Sequence, residues 1–398
     1  MHKQRRRLIW LPGLLGAIVV LLVGLWFGGH PSWLPGPVRS VFVSQDHSDA
    51  LVNQVLGLIE RDYYRKVPRT QLINTGLAGA VASLDDPYSH YYDPSDYGSF
   101  QNETDPHVSG IGISAGSDPR GLRVVEVFVG SPAAAAGLQR GDVIVAVGST
   151  SLSKRSQTFA ASLIRGKAGT KVTLTVLRGH RRRVVTIQRA SLVVPVSTGR
   201  IIDYHGVKLG YVELASFTQG SGEQVRQQVK TVLAHGARGL ILDLRENGGG
   251  LLEEAVNVAS VFIKAGPIVS TAGRAQPRQV YPAKGNAIAT GQPMVVLVDA
   301  GTASAAEIVT AALKDHGRAK VVGTRTYGKG VFQEIEQLPN GGALDFTVGR
   351  YYTPDGQNLG GKGVARGPGI KPNVYVRPTG NGAHTLAVAE RVVASELP

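Results

Sequence analysis

Val298-Asp-Ala-Gly-Thr-Ala-Ser304-Ala-Ala-Glu307-Ile-Val-Thr-Ala-Ala312 takes up the chain where the apolar run 294–298 ends. A buried strand that turns through small residues into a helix pattern presents Ser304 at a helix N-terminus. Free N–H groups and the positive end of the helix dipole there suit a developing oxyanion. The same residues also spell a capping box, in which Ser304 caps the third helical N–H and Glu307 returns the bond. On this stretch alone Ser304 is a cap or a nucleophile, and its neighbours decide between the two.

One neighbour is the glycine run after the apolar segment 239–244, Arg245-Glu-Asn-Gly-Gly-Gly250. Consecutive glycines let backbone N–H groups approach a ligand closely. A phosphate loop is set aside, because no Gly-Lys-Ser/Thr follows and the Gly-x-Gly-x-x-Gly spacing is absent. The run is an anion or oxyanion hole, or a glycine-rich helix start. The oxyanion donors would be backbone N–H groups at Gly249 and Ala305.

The other neighbour is Thr326-Tyr-Gly-Lys329-Gly-Val-Phe-Gln333. Glycines on both sides are a poor choice for a merely solvated lysine and allow tight packing instead. A hydroxyl attacking an amide needs a base near neutral pH, whereas a free lysine titrates near ~10.4. Burial without a counter-ion disfavours the ammonium and lowers that value. Val331 and Phe332 suit such a pocket, and Gln333 can bond the amine without adding charge. A fully extended 329–333 segment would span ~13 Å, so a bend is expected around Gly330. Asp315 is the competing third member and ranks below Gln333, since its charge would favour the protonated amine. Glu307 is expected to cap the helix. The ten histidines are scattered, and none sits in a serine-protease-like setting.

Length and composition set the frame. At 398 residues, 42% hydrophobic and 18% charged, the chain is folded protein of two or three domains. The formal charge of +14 has no zinc-ligand pattern, RNP-like aromatic motif or long basic helix beside it, so nucleic acid is not an expected partner. No metal or cofactor is expected either. Residues 8–27 are uncharged and apolar, follow Arg5-Arg6-Arg7, and at ~1.5 Å per residue span a bilayer core of ~30 Å. No Ala-x-Ala site follows, so an uncleaved signal anchor at 8–28 is expected, with 1–7 as a cytoplasmic tail. The protein is then a single-pass cell-membrane protein with its catalytic part outside the cytoplasm. The absence of cysteine excludes disulfides and a thiol nucleophile.

Residues 29–95 read as a linker and a helical module. Leu51, Val55, Leu58 and Ile59 have helical spacing, and Leu72, Ile73, Leu77, Ala80 and Val81 would face inward on a second helix. Asp85-Asp-Pro-Tyr88 stops that helix. Residues 96–190 change to short β runs around Gly110-Ile-Gly-Ile113, Ser131-Pro-Ala133 and Gly141-Asp-Val-Ile144, with a helix near 156–164. Arg178-Gly-His-Arg-Arg-Arg183 reads as a hairpin turn of solvated charge. The order resembles a PDZ domain. That resemblance implies that Gly110, Ile111, Gly112 and Ile113 receive a peptide's C-terminal carboxylate and that the adjoining strand accepts the peptide by edge addition. Residues 191–376 alternate β and α, and 377–398 close with a tail and helix.

Together, Ser83-Leu-Asp-Asp-Pro-Tyr88, Gly110-Ile-Gly-Ile113, Leu242-Asp-Leu-Arg245 with Asn247-Gly-Gly249, Ala303-Ser-Ala-Ala-Glu-Ile308, Asp315-His-Gly-Arg318, Gly328-Lys-Gly330 and Arg350-Tyr-Tyr-Thr-Pro354 resemble the carboxyl-terminal processing peptidases of family S41. The likeness spans about residues 45–376. One departure is Asn247-Gly248-Gly249, where the family commonly has Asn-Pro-Gly-Gly. The resemblance implies an α/β multidomain chain with an N-terminal membrane anchor, a small helical module, a PDZ β-domain and an αβ crotonase-like serine protease core. It places the nucleophile at Ser304, a general-base lysine at Lys329 and a supporting glutamine at Gln333. It also implies that Arg165 couples peptide binding to assembly of the site, although a solvent-exposed helix-end arginine reads the same way. Substrates would be proteins or peptides with accessible C-terminal tails. A homodimer through the helical module and the C-terminal helix, or an activator protein, is a further expected partner. The competing readings are a non-catalytic PDZ adaptor and an acyl-transforming enzyme of the crotonase type.

Overall fold

The computed structural model describes residues 47–104, 107–380 and 382–397. The expected anchor at 8–28 lies outside them, and no helix among the described residues is long and apolar enough to cross a membrane. The chain divides into two compact units, up to Ala80 and from Val81 onward.

In the first unit the helix His47–Asp62 is joined to the start of the helix Arg69–Ala82 by polar bonds, Arg69 reaching Asn53 at 2.8 Å and Glu60 at 3.3 Å. The apolar stripes turn inward only in part: Leu51, Val55, Leu58, Ile73 and Leu77 are exposed, Ile59, Leu72 and Val81 are half-buried, and no residue of Arg69–Ala82 is fully buried.

The second unit begins its β structure with an antiparallel sheet in the order Ile113–Asp118, Gly121–Val127, Val143–Val147, Lys171–Arg178 and Arg181–Gln188. Ile111, Leu122, Val124, Ile144, Leu152, Leu174 and Ile187 fill its core, and the helix Gln157–Ile164 closes it. Ile113–Asp118 ends the sheet, so its outer edge is open for pairing. The basic turn is not all solvated charge. Arg178 grips the buried Asp142 through two bonds of 2.7 and 2.8 Å and the Gly137 carbonyl through a third. Those bonds hold the Asp142 carboxyl below its usual range, against the upward push of burial.

The second β layer is a six-stranded sheet in the order Ser197–Tyr204, Val207–Leu214, Gly239–Asp243, Met294–Val298, Lys320–Gly323 and Val374–Tyr375. From Val207–Leu214 onward its strands are parallel. Met294–Val298 is buried throughout, as expected of a strand covered on both faces. The helices Ser221–Ala234, Leu252–Ala259 and Ala305–Asp315 pack on one face, and Ala383–Ser395 packs on the other. Parallel strands leave their carboxyl ends on one edge, where open α/β sheets bind ligands. The glycine run, the Ser304 turn and the Lys329 loop all leave that edge, each from a successive strand.

A third sheet centres on the long strand Ala343–Tyr352. Val331–Gln337 runs antiparallel along it, His90–Tyr92 pairs at residues 343–345, and Pro267–Ala272 pairs at 350–352. This sheet carries Gln333 and brings a segment from before the PDZ-like domain to the same edge.

Candidate active site

Ser304 is the N-cap residue of Ala305–Asp315 and has φ +54° and ψ −118°. Those angles match the first central residue of a type II′ turn, a position that glycine dominates. A non-glycine residue held there is strained, and such strain clusters at functional sites. The turn is fixed around it: Asp299 Oδ1 accepts the N–H groups of Glu246, Gly301 and Thr302 at 2.9, 2.9 and 3.1 Å, and Thr302 Oγ1 donates to the Leu244 carbonyl. Gly249 lies against the serine so closely that a Cβ there would stand 2.8 Å from Ser304 Cβ.

Ser304 and Glu307 form the expected capping box, in which the Glu307 carboxylate accepts the Ser304 N–H at 3.0 Å. Glu307 is fully buried and does more than cap. Its other oxygen accepts Thr326 Oγ1 at 2.5 Å and the Gly328 N–H at 2.7 Å, and the oxygen on Ser304 N also accepts the Lys329 N–H at 2.9 Å. One carboxylate therefore ties the serine turn to the lysine loop. Burial pushes its carboxyl above the usual range, against four hydrogen bonds that pull it down.

Lys329 is half-buried, and its Nζ donates to Gln333 Oε1 at 2.6 Å. Gln333 Nε2 donates in turn to Thr347 Oγ1 at 2.9 Å. The Tyr88 ring centroid lies 4.6 Å from the amine. Burial lowers the lysine, while Asp345, Asp86 and Glu307 oppose it, and burial prevails. The pocket therefore contains carboxylates that a reading along the chain did not place there. The glycines flanking the lysine serve a different purpose from packing around the amine. A Cβ at Gly328 or Gly330 would meet the backbone of Gly367 or Gly360, so both let two loops lie in contact. The expected bend at Gly330 is distributed: the left-handed residue is Gly328, at φ +91°, and the ladder irregularity falls between Phe332 and Gln333.

Lys329 and Gln333 are thus in direct contact, and Ser304 is linked to them through Glu307. Among the described residues no hydrogen bond joins the Ser304 hydroxyl to the Lys329 amine. Asp315 is elsewhere, accepting the Asp355 N–H at 3.2 Å. Of the two N–H groups expected to face an oxyanion, that of Gly249 donates to Asn247 Oδ1 at 2.9 Å. Asn247 is buried and anchored by its own amide to the Leu214 carbonyl, so the loop makes an Asx turn. Among the described residues, the N–H groups of Ala305 and Gly248 make no hydrogen bond. Gly248 faces open space, and nothing in the sequence separated it from its neighbours.

Away from this cluster, a cleft of about 320 Å³ lies between Ile113–Asp118 and the helix Gln157–Ile164. Gly110, Ile111, Gly112, Ile113 and Arg165 all line it, with Phe128 at its wall. Gly112 takes φ +84°, and a Cβ there would meet the Ser131 side chain at 2.2 Å, which excludes larger residues. Arg165 is exposed at the helix C-cap.

Three stretches of the chain match known families. The model described as "Peptidase family S41" matches residues 208–376, "PDZ domain" matches 109–188, and "Activating protease CtpB N-terminal domain" matches 42–95. The chain is 36% identical to a chloroplastic carboxyl-terminal-processing peptidase 2 of Arabidopsis thaliana, over 71% of this chain and 58% of that protein. It is 33% identical to a "Probable CtpA-like serine protease" of Staphylococcus aureus, over 82% of this chain and 64% of that one. It therefore spans less than two thirds of either relative's length. The solved structure of a photosystem II D1 C-terminal processing protease is 30% identical, covering 86% of this chain and 91% of that chain, with a TM-score of 0.49. The chain is a mixed α/β protein with a PDZ domain, and it belongs to peptidase family S41.

Proposed function

We propose that the chain is a membrane-tethered serine endopeptidase that uses Ser304 and Lys329, supported by Gln333, and takes proteins whose C-terminal tails enter the PDZ cleft. The observation that carries the reading is the shared Glu307 oxygen, which holds the Ser304 and Lys329 main-chain nitrogens on one acceptor. Ser304 Oγ attacks the scissile carbonyl carbon and passes its proton to the neutral Lys329 amine. The oxyanion is received by the Ala305 N–H and by the glycine loop, where the Gly248 N–H is open. Lysine then gives the proton to the departing amine, and water releases the acyl group from Ser304 by the reverse exchange. An apo site with a loose nucleophile–base contact is compatible with this chemistry, since such bonds tighten when substrate arrives. The open edge of Ile113–Asp118 supports capture of a tail as an added strand. The anchor at 8–28 would place the site outside the cytoplasm.

The test is cleavage of an unstructured protein by the full chain in detergent, beside Ser304→Ala and Lys329→Ala. Only the parent should cut. Equal cutting by Ser304→Ala would overturn the mechanism, and no cutting by any of the three would favour the adaptor reading. Cell fractionation, with added protease digesting the chain only from outside, tests the anchor.

A further inference from the structure

Thr302 is fully buried two residues before Ser304, and it bonds both of the other loops of the site. Its hydroxyl donates to the Leu244 carbonyl at 2.8 Å, where the strand Gly239–Asp243 passes into the glycine loop. Asp299 Oδ1 is the more distant acceptor at 3.3 Å and already takes three N–H groups. The same threonine oxygen accepts the Asp299 N–H at 3.0 Å. Its carbonyl accepts the Tyr327 N–H at 2.9 Å, two residues before Lys329. Two further bonds join the serine turn to the glycine loop. The Ala303 N–H donates to the Asn247 carbonyl at 2.9 Å, and the Glu246 N–H donates to Asp299 Oδ1 at 2.9 Å.

This seam sets a distance that the chemistry needs. The Ala305 N–H follows the serine, whereas the Gly248 N–H stands on the glycine loop, so an oxyanion held by both spans the seam. Ser304 itself sits at φ +54°, and a strained conformation persists only where its surroundings over-determine it. Glu307 holds the residue by its own N–H, and Thr302 is an anchor on the preceding side. A methyl group in place of the hydroxyl could not stay 2.8 Å from the Leu244 oxygen, because carbon stands off by ~3.3 Å. The seam would open by about 0.5 Å, and a misplacement of about 1 Å costs about 100-fold in rate.

We propose that Thr302 is a positioning residue, whose hydroxyl holds the glycine loop against the serine turn and so sets the oxyanion donors around Ser304. This rests on the peptidase reading above.

The experiment measures kcat and KM of the full chain in detergent on an unstructured protein, with single-turnover rates for slow variants and a melting curve for each. Thr302→Val keeps the shape and pushes the seam apart. Thr302→Ala removes the hydroxyl without the push, and Thr302→Ser keeps the hydroxyl. We expect kcat to fall about 10- to 100-fold in Thr302→Val with KM unchanged, to fall less in Thr302→Ala, and to recover in Thr302→Ser. A residue that merely fills space gives another order, with Thr302→Ala the most damaged and Thr302→Val close to the parent. If Thr302→Val does not fold, Thr302→Ala against Thr302→Ser decides, the alanine variant having the lower kcat at the same KM. A second measurement needs no turnover. On the Thr302→Val background, the gain in melting temperature of Ser304→Gly over Ser304→Ala should shrink, because a turn freed on one side relaxes its strain. Parent-like kcat in Thr302→Val, the space-filling order, equal kcat in Thr302→Ala and Thr302→Ser, or an undiminished gain from Ser304→Gly overturns the proposal. If Ser304→Ala is inactive in the same assay, such a result removes this inference alone. If Ser304→Ala is as active as the parent, the peptidase reading itself fails.

Discussion

Ser304→Gly should make the protein more stable while abolishing its activity. The native residue sits at φ +54° and ψ −118°, a conformation in which a Cβ is strained by ~1–3 kcal/mol and glycine is not. Glycine gives back ~0.5–1 kcal/mol through the extra freedom of its unfolded chain. Removing Cβ also loses the contact with Gly249, a further few tenths. The net expectation is a gain of about 0.5–2 kcal/mol over Ser304→Ala, which keeps Cβ and therefore the strain. For a core of this size that is roughly 1–8 °C in melting temperature. The alanine variant is the proper reference, because both substitutions remove the hydroxyl and both leave the Glu307 bond to the residue 304 N–H. Urea unfolding of the two variants, with equal m values, reads the difference directly. If glycine is no more stable than alanine, the turn does not hold its serine under strain, and the argument that strain marks this position as the nucleophile fails.

Lys329→Met should raise stability at neutral pH by removing a charge that burial disfavours. The folded lysine titrates below the unfolded one, so between the two values the unfolded chain binds more protons and stability rises with pH. The advantage of the methionine variant should therefore shrink as pH climbs toward ~10.4, which melting curves across that range check. Gly112→Ala would force a Cβ into Ser131 from a left-handed backbone and should weaken binding of a peptide with a free C-terminus by about tenfold or more. Fluorescence anisotropy measures it, and unchanged affinity would remove Gly112 from the binding loop.

Local patterns carried the parts of this molecule that depend on neighbours in sequence. The fully apolar 294–298 run is a buried strand, and the Ser304 helix starts where its cap signal lies. Lys329 and Gln333, four residues apart, meet. What could not be read depended on partners from elsewhere. Asn247 takes the Gly249 N–H because it is anchored by the Leu214 carbonyl on the adjacent strand. The stripes of the first two helices promised inward faces, but periodicity states only which residues share a side and not what covers it. Asp86 and Asp345 enter the lysine pocket through strand pairing across most of the second unit, so no spacing rule reveals them.

Those carboxylates sharpen the question of why the third member should be an amide. Burial holds Lys329 below its usual value although Asp345, Asp86 and Glu307 all raise it, and one more charge beside the amine would add to their side. Gln333→Glu tests this with almost no change of shape. It would put a carboxylate at the present 2.6 Å contact, where an opposite charge typically raises a neighbour by ~1–3 pH units. A glutamate also has no N–H for Thr347, so that oxygen loses its donor. The acidic limb of the rate profile should move up by about 1–3 units, and the rate at neutral pH should fall about 10- to 1000-fold, with partial recovery in alkaline buffer. Raising pH would not restore a site that had merely been distorted. A glutamate variant with full rate at neutral pH and an unmoved limb would show that Lys329 does not act as the neutral amine, and the role given to Gln333 would go with it.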